Sequence, residues 1–196
     1  MPIIPPRYSY LREEPIPPLM VRIALDMYGT VETPGSADNP IILGWADEVQ
    51  LLSASPYNNW AADFYNDDKI PWCGLFMAVV AVRAGQGRDD RRPPDKYLAA
   101  LSWRNWGNPA DRGDIEVGDV VVLSREGGGH VTLAVGVNED NSIFFGLGGN
   151  QSNRVSIAEF PTERIVAVRR PPYVNKPAGA RRVVLSSTGV LSSGEQ

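Results

Sequence analysis

From Pro71 to Gly85 the chain reads Pro-Trp-Cys-Gly-Leu-Phe-Met-Ala-Val-Val-Ala-Val-Arg-Ala-Gly, with Arg83 as its only charge. A helix that is apolar on nearly every side has no face to offer to water, so the rest of the fold must wrap it. Pro71 before it and Gly85 after it set its limits. Its most apolar part, Leu75 to Val82, is far shorter than the roughly 20 residues needed to span a bilayer. The segments on either side must therefore supply cover. Met20, Ile23, Ala24 and Met27 recur at helical spacing and predict a helix over 19–28, stopped at Gly29. Asn39 as cap and Pro40 as first residue predict a second helix, carried by Ile41 to Leu52. A short helix over Lys96–Ser102 is expected after the Pro93-Pro94 turn.

After Gly118 the period changes from helical to alternating. Val120–Leu123, Val131–Val137, Ser142–Leu147, Arg154–Ile157 and Ile165–Val168 read as strands, punctuated by Gly, Asn, Asp and Pro. Asn138, Asp140 and Asn141 read as hairpin-turn residues. Short links between successive strands favour antiparallel pairing, and helices followed by strands indicate an α+β domain. The expected architecture is thus a set of N-terminal helices, including the central one, packed on an antiparallel sheet of about five strands. With 196 residues and 43% hydrophobic content, one core is expected over residues 18–170. Residues 1–17, rich in proline, read as an extended arm, and residues 171–196 as a mobile tail in which Val183–Leu185 could still pair.

Several functions are excluded by what the chain lacks. A net charge of -4 gives no electrostatic case for nucleic acid or an anionic membrane. A single cysteine forms no internal disulfide, and a free thiol fits a reducing compartment. Met1–Pro18 has no apolar core of a secretory signal, so a product made in the cytoplasm without membrane insertion is expected. One cysteine and one histidine cannot build a zinc cluster. There is no Gly-x-Ser-x-Gly elbow, and Gly146-Leu147-Gly148-Gly149-Asn150 lacks the Lys and Ser/Thr of a phosphate loop. No cofactor is expected.

What remains is the pair Cys73 and His130. Cys73 falls in the first turn of the central helix, where the dipole and free N–H groups favour a thiolate. The simplest other role for a lone cysteine in an apolar helix is core packing. His130 opens a strand after Gly127-Gly128-Gly129, on one face with Thr132, Ala134 and Gly136. Those small residues are expected to let the central helix pack close and meet the imidazole. Asn150, beyond the next strand, is the candidate to orient the ring, with Gln151 as its fallback.

In order along the chain, Pro71-Trp72-Cys73-Gly74, Leu101-Ser102-Trp103 with Trp106-Gly107, Gly118-Asp119-Val120, Gly129-His130-Val131-Thr132 and Gly148-Gly149-Asn150-Gln151 resemble the CHAP-type branch of the NlpC/P60 superfamily. Glu32-Thr33-Pro34-Gly35 and Asn39-Pro40-Ile41-Ile42 are similar to a small phage-associated subgroup of it. The resemblance spans roughly residues 18–170. It implies a papain-like fold and cleavage of an amide or peptide bond in bacterial peptidoglycan. Cys73 is then the nucleophile, His130 the base and Asn150 the orienting group, with Gln151 and the tryptophans Trp72, Trp103 and Trp106 along the substrate groove, core packing being the other role open to the tryptophans and the one favoured for at least one of them. A monomer acting on the wall after lysis or delivery is implied, with a delivery or immunity protein as partner. Asp63, Asp67 and Asp68 precede Cys73 without the spacing of a calcium loop, so no metal is expected. Two alternatives stay open: a thiol amidase or acyltransferase on another substrate, and a non-enzymatic wall-binding or virion module on the same fold.

Overall fold

The computed structural model describes residues 2–35, 37–53, 59–86 and 92–194. Four α-helices come first: α1 (Leu19–Asp26), α2 (Pro40–Ser53), α3 (Asn59–Phe64) and α4 (Cys73–Gly85). α4 lies where the apolar run predicts it, and every residue in it but Arg83 is buried. Arg83 reaches sideways to Glu48 of α2 through two 2.7 Å bonds, so even the one charge of the helix is held by a neighbour. Asn39 caps α2 as expected, its Oδ1 accepting the Ile41 N–H at 2.9 Å. The short helix expected at 96–102 is a 3-10 helix at Ala100–Asn105, after a turn at 95–98.

Six strands follow: β1 (Asn108–Ala110), β2 (Val120–Arg125), β3 (Gly128–Val137), β4 (Ile143–Gly148), β5 (Ser156–Pro161) and β6 (Ile165–Arg170). They form one sheet in the order β1-β6-β2-β3-β4-β5, and every neighbouring pair is antiparallel. The mixed α+β class is therefore as expected. β1 is additional, since three residues around a proline carry no alternation to read. The strand expected at 154–157 starts later, because Asn150, Ser152 and Asn153 have left-handed φ of 56°, 55° and 58° and hold the chain in a loop. Asn138–Ser142 form the expected hairpin turn, with Asn138 Oδ1 accepting the Ile143 N–H at 2.9 Å.

The two faces of the sheet have different covers. Val120, Val122, Val131, Leu133, Val135, Phe145 and Leu147 pack in one core with α1, α2 and α4. Val121, Leu123, Ala134, Phe144 and Phe160 belong to a second cluster that contains no α-helical residue. This reverses the expectation for β3. The central helix packs on the branched face of Val131, Leu133 and Val135, where apolar burial is greater. The small residues serve other neighbours: Thr132 lies against Gly146 of β4, where a Cβ would be 2.7 Å from Thr132 Cγ2 and 2.9 Å from Phe160 Cε2, and a Cβ on Gly136 would be 2.8 Å from Leu185 Cδ1.

Both chain ends are folded on, which corrects the extended arm and the mobile tail, while the pairing left open for Val183–Leu185 is formed with Val137. Pro6–Arg12 is a 3-10 helix that buries Tyr8 and Leu11, and the Tyr10 hydroxyl donates to the Val135 carbonyl. Val184 bridges to Val137, Leu191 bridges to Glu159, and Ser152 N–H donates to the Gly194 carbonyl at 2.7 Å. The buried Glu159 carboxylate joins the two ends. It accepts from Arg7 at 3.4 Å, from Ser187 Oγ at 2.5 Å and from the Thr188 N–H at 2.9 Å.

Candidate functional site

The site is assembled at the N-terminus of α4. Its entry is tight: a Cβ on Gly74 would run into the Tyr97 carbonyl oxygen and lie 2.6 Å from that of Leu98. The main chain at 97–98 thus rests on the first turn of α4, and only glycine permits it. Gly74→Ala should lower stability by about 2 kcal/mol through overpacking against a backbone that cannot rotate away. Thermal unfolding should fall by roughly 4–8 °C for a chain of this size.

Cys73 is a free thiol and 2% exposed. Burial pushes its pKa up; the N–H groups of Val131, Gly74 and Cys73 itself, and the charge of Arg125, pull the other way. Val131 directly follows His130 on β3, so one of the N–H groups that favour the thiolate belongs to the residue next to the imidazole. The converging N–H groups are the kind of donors that stabilise a thiolate or an oxyanion.

His130 is fully buried, its ring stacked on Phe160 with centroids 5.5 Å apart. Its Nε2 meets Gln151 Oε1 at 3.2 Å. The Gln151 amide has only one sensible orientation. Its Nε2 donates to the carbonyls of Gly146 at 3.1 Å and Ser156 at 2.8 Å, so Oε1 is the accepting end. Oε1 also accepts from Thr132 Oγ1 at 3.1 Å. In the neutral ring the Nε2 must then carry the proton, which makes Nδ1 the basic nitrogen.

Asn150, expected to hold the imidazole, is used elsewhere. With its amide oriented to satisfy both ends, Nδ2 donates to Glu32 Oε1 at 3.1 Å and Oδ1 accepts the Trp72 N–H at 3.2 Å. Glu32 Oε1 also accepts the Trp72 indole N–H at 2.7 Å. Asn150 thus braces the residue before Cys73, while Gln151 takes the place predicted for Asn150. The left-handed turn at Asn150 is what sends two adjacent side chains to different partners. Burial raises the Glu32 carboxyl above its ordinary value, and the Trp72 bond opposes that. Sequence reasoning gave Glu32 no role; its only signal was its place in the Glu32-Thr33-Pro34-Gly35 stretch.

The tryptophans expected along a groove are core residues. Trp72, Trp103 and Trp106 are buried. Their indole N–H groups go to Glu32, to the Tyr97 carbonyl at 3.0 Å and to the Arg92 carbonyl at 2.9 Å. Among the described residues the exposed aromatics are Trp60 and Phe64 of α3, 45% and 52% exposed. They line an apolar surface pocket with Ile70, Pro71, Leu98 and Ala99, two residues ahead of the thiol.

Among the described residues, Asp38, Asp67 and Asp68 bring carboxylate oxygens within 4.8 Å of one another. The Lys69 ammonium sits among them, 3.2 Å from Asp67 and 3.8 Å from both Asp38 and Asp68. Asp68 is fully buried and accepts the N–H groups of Thr33 at 3.0 Å and Asn39 at 2.8 Å, so it ties the loop before α2. Asp63 lies outside this group, on exposed surface of α3.

No helix among the described residues is long and apolar enough to cross a membrane. No protein-family model matches the chain, and no curated protein matches it either.

Proposed function

We propose that the protein is a papain-like cysteine hydrolase, of the CHAP type it resembles, acting on an amide or peptide bond of bacterial peptidoglycan. The observation that carries this reading is the Cys73 thiol at the N-terminus of α4, favoured as a thiolate by the N–H of the residue after His130, with the His130 Nε2–H held by a fixed amide and Nδ1 left basic. His130 Nδ1 takes the thiol proton, and the Cys73 sulfur attacks the scissile carbonyl carbon. The N–H groups that converge on Sγ are candidates to hold the oxyanion. The leaving amine takes the proton from His130, and a thioester remains. Water attacks the thioester, His130 accepts its proton, and the acid and free thiol are released. Gln151 keeps the ring in one tautomer throughout. Because the thiol is buried, entry of a substrate requires the chain around the first turn of α4 to open.

That burial is also the observation favouring the non-enzymatic alternative, in which Cys73 only packs. The test is digestion of wall preparations by wild-type protein and by Cys73→Ala, read by mass spectrometry of released fragments. New amine or carboxyl termini from wild type alone are expected, and they name the bond. Equal fragment patterns, or none from walls of any chemotype, would sink the hydrolase.

A further inference from the structure

Arg125 is the last residue of β2, at the head of the β2–β3 hairpin. The register pairs Leu123 with His130 and Arg125 with Gly128, so alternation puts Arg125 and His130 on one side of the ribbon. Arg125 Nε donates to the Gly129 carbonyl at 3.1 Å. A Cβ on Gly128 would stand 3.9 Å from Arg125 Nη2. The guanidinium therefore lies folded along Gly128-Gly129, the run that leads into His130, and the glycines put no side chain over it. On the other side of Gly129 lies Leu101, whose Cδ2 would be 2.7 Å from a Cβ there.

Arg7, Arg83 and Arg170 each meet a carboxylate of the protein. No carboxylate among the described residues lies within ion-pair distance of Arg125. Gly129, whose carbonyl it bonds, directly precedes His130, and the guanidinium shares the imidazole's side of the ribbon, so the cation lies beside the candidate base. In a chain of net charge -4, a half-buried cation held by one carbonyl beside the reactive pair leaves most of its donors available for an anion.

We infer that Arg125 binds a carboxylate of the substrate next to the scissile bond, so that the site selects acidic peptides over their amidated forms. This rests on the hydrolase reading above. A guanidinium matches a carboxylate through two parallel N–H bonds, which a neutral amide cannot reproduce.

The experiment uses synthetic wall stem peptides in matched pairs, each with one side carboxylate free or amidated. Wild-type kcat/KM should favour the free acid by at least about tenfold in one pair. Arg125→Met should collapse that ratio to near one, and Arg125→Lys should restore part of it. No preference in any pair, or an equal loss on both members in Arg125→Met, would overturn the assignment. Binding of the same pairs to Cys73→Ala, with and without Arg125→Met, separates the two claims. Arg125-dependent preference for the acid without turnover by wild type would leave the carboxylate site standing and remove the hydrolase. Turnover without preference would do the reverse.

Discussion

Gln151→Leu should slow turnover by about a hundredfold, the order expected when an imidazole base loses the partner that orients it. It should also cost about 3 kcal/mol of stability, since four partners, three of them buried, lose their bonds at once. Those partners are the carbonyls of Gly146 and Ser156, the Thr132 hydroxyl and the His130 ring. Leucine fills the volume but satisfies none of them. The two effects are separable. Rates measured well below the melting point report on the ring; the melting point reports on the network. A variant that melts early but keeps its kcat would show that Gln151 only braces the loop. The matching Asn150→Leu change removes the bridge between Glu32 and the Trp72 N–H, and so acts on the entry to α4 and not on the imidazole.

Arg170→Met should lower stability by about 3 kcal/mol, because it strands a buried carboxylate. Asp119 is 1% exposed and accepts Arg170 Nε and Nη2 at 2.9 Å each, with the Glu116 N–H as third donor at 3.0 Å. Burial already pushes the Asp119 carboxyl above its ordinary value despite these bonds. Without the guanidinium it rises further, so the folded state holds a proton that the unfolded state has lost. Stability of the variant should then fall as pH rises from the unfolded carboxylate value, about 3.9, through the raised folded one. The deficit should be small in acid and full near neutrality, where thermal unfolding should drop by roughly 6–12 °C. Asp119→Asn in the same protein should recover part of the loss. A deficit independent of pH would mean that Arg170 contributes packing and not charge. In the Gly118-Asp119 motif, then, the aspartate is a structural anchor: its N–H and carbonyl bond Glu116 and Ala134 while its side chain clamps β6.

The central helix was legible because its apolar surround leaves a single way to bury it. The strand carrying His130 was legible for a similar reason, its alternation extending over eight residues. Alternation says which residues share a face, however, and not which face a helix will cover. That depends on comparing branched side chains with small ones across a whole sheet, and it is where the reading of β3 failed. Asn150 and Gln151 could not be told apart, because their roles diverge at one left-handed φ that glycine-rich surroundings only hint at. Prolines hid the arm: they punctuate a 3-10 helix as readily as an extended segment, and Tyr8 and Leu11 are too few to show a period. Trp72, Trp103 and Trp106 could not be divided between groove and core, because an indole N–H bonded inside a core looks, in sequence, like one facing a ligand.

The knot at Glu159 has a consequence for how the protein behaves in a crowded solution. β5 is the last strand of the sheet, and an open edge of that kind is a template on which another chain can add. Here the chain's own end occupies it, with Leu191 bridging to Glu159 and the Ser192 N–H bonded to its carbonyl at 2.8 Å. The opposite edge is β1, three residues long with Pro109 at its centre. A long hydrophobic sheet is thus sealed on one side by the terminus and blunted on the other by a proline, so trimming the last residues would expose a sticky border as well as shorten the chain.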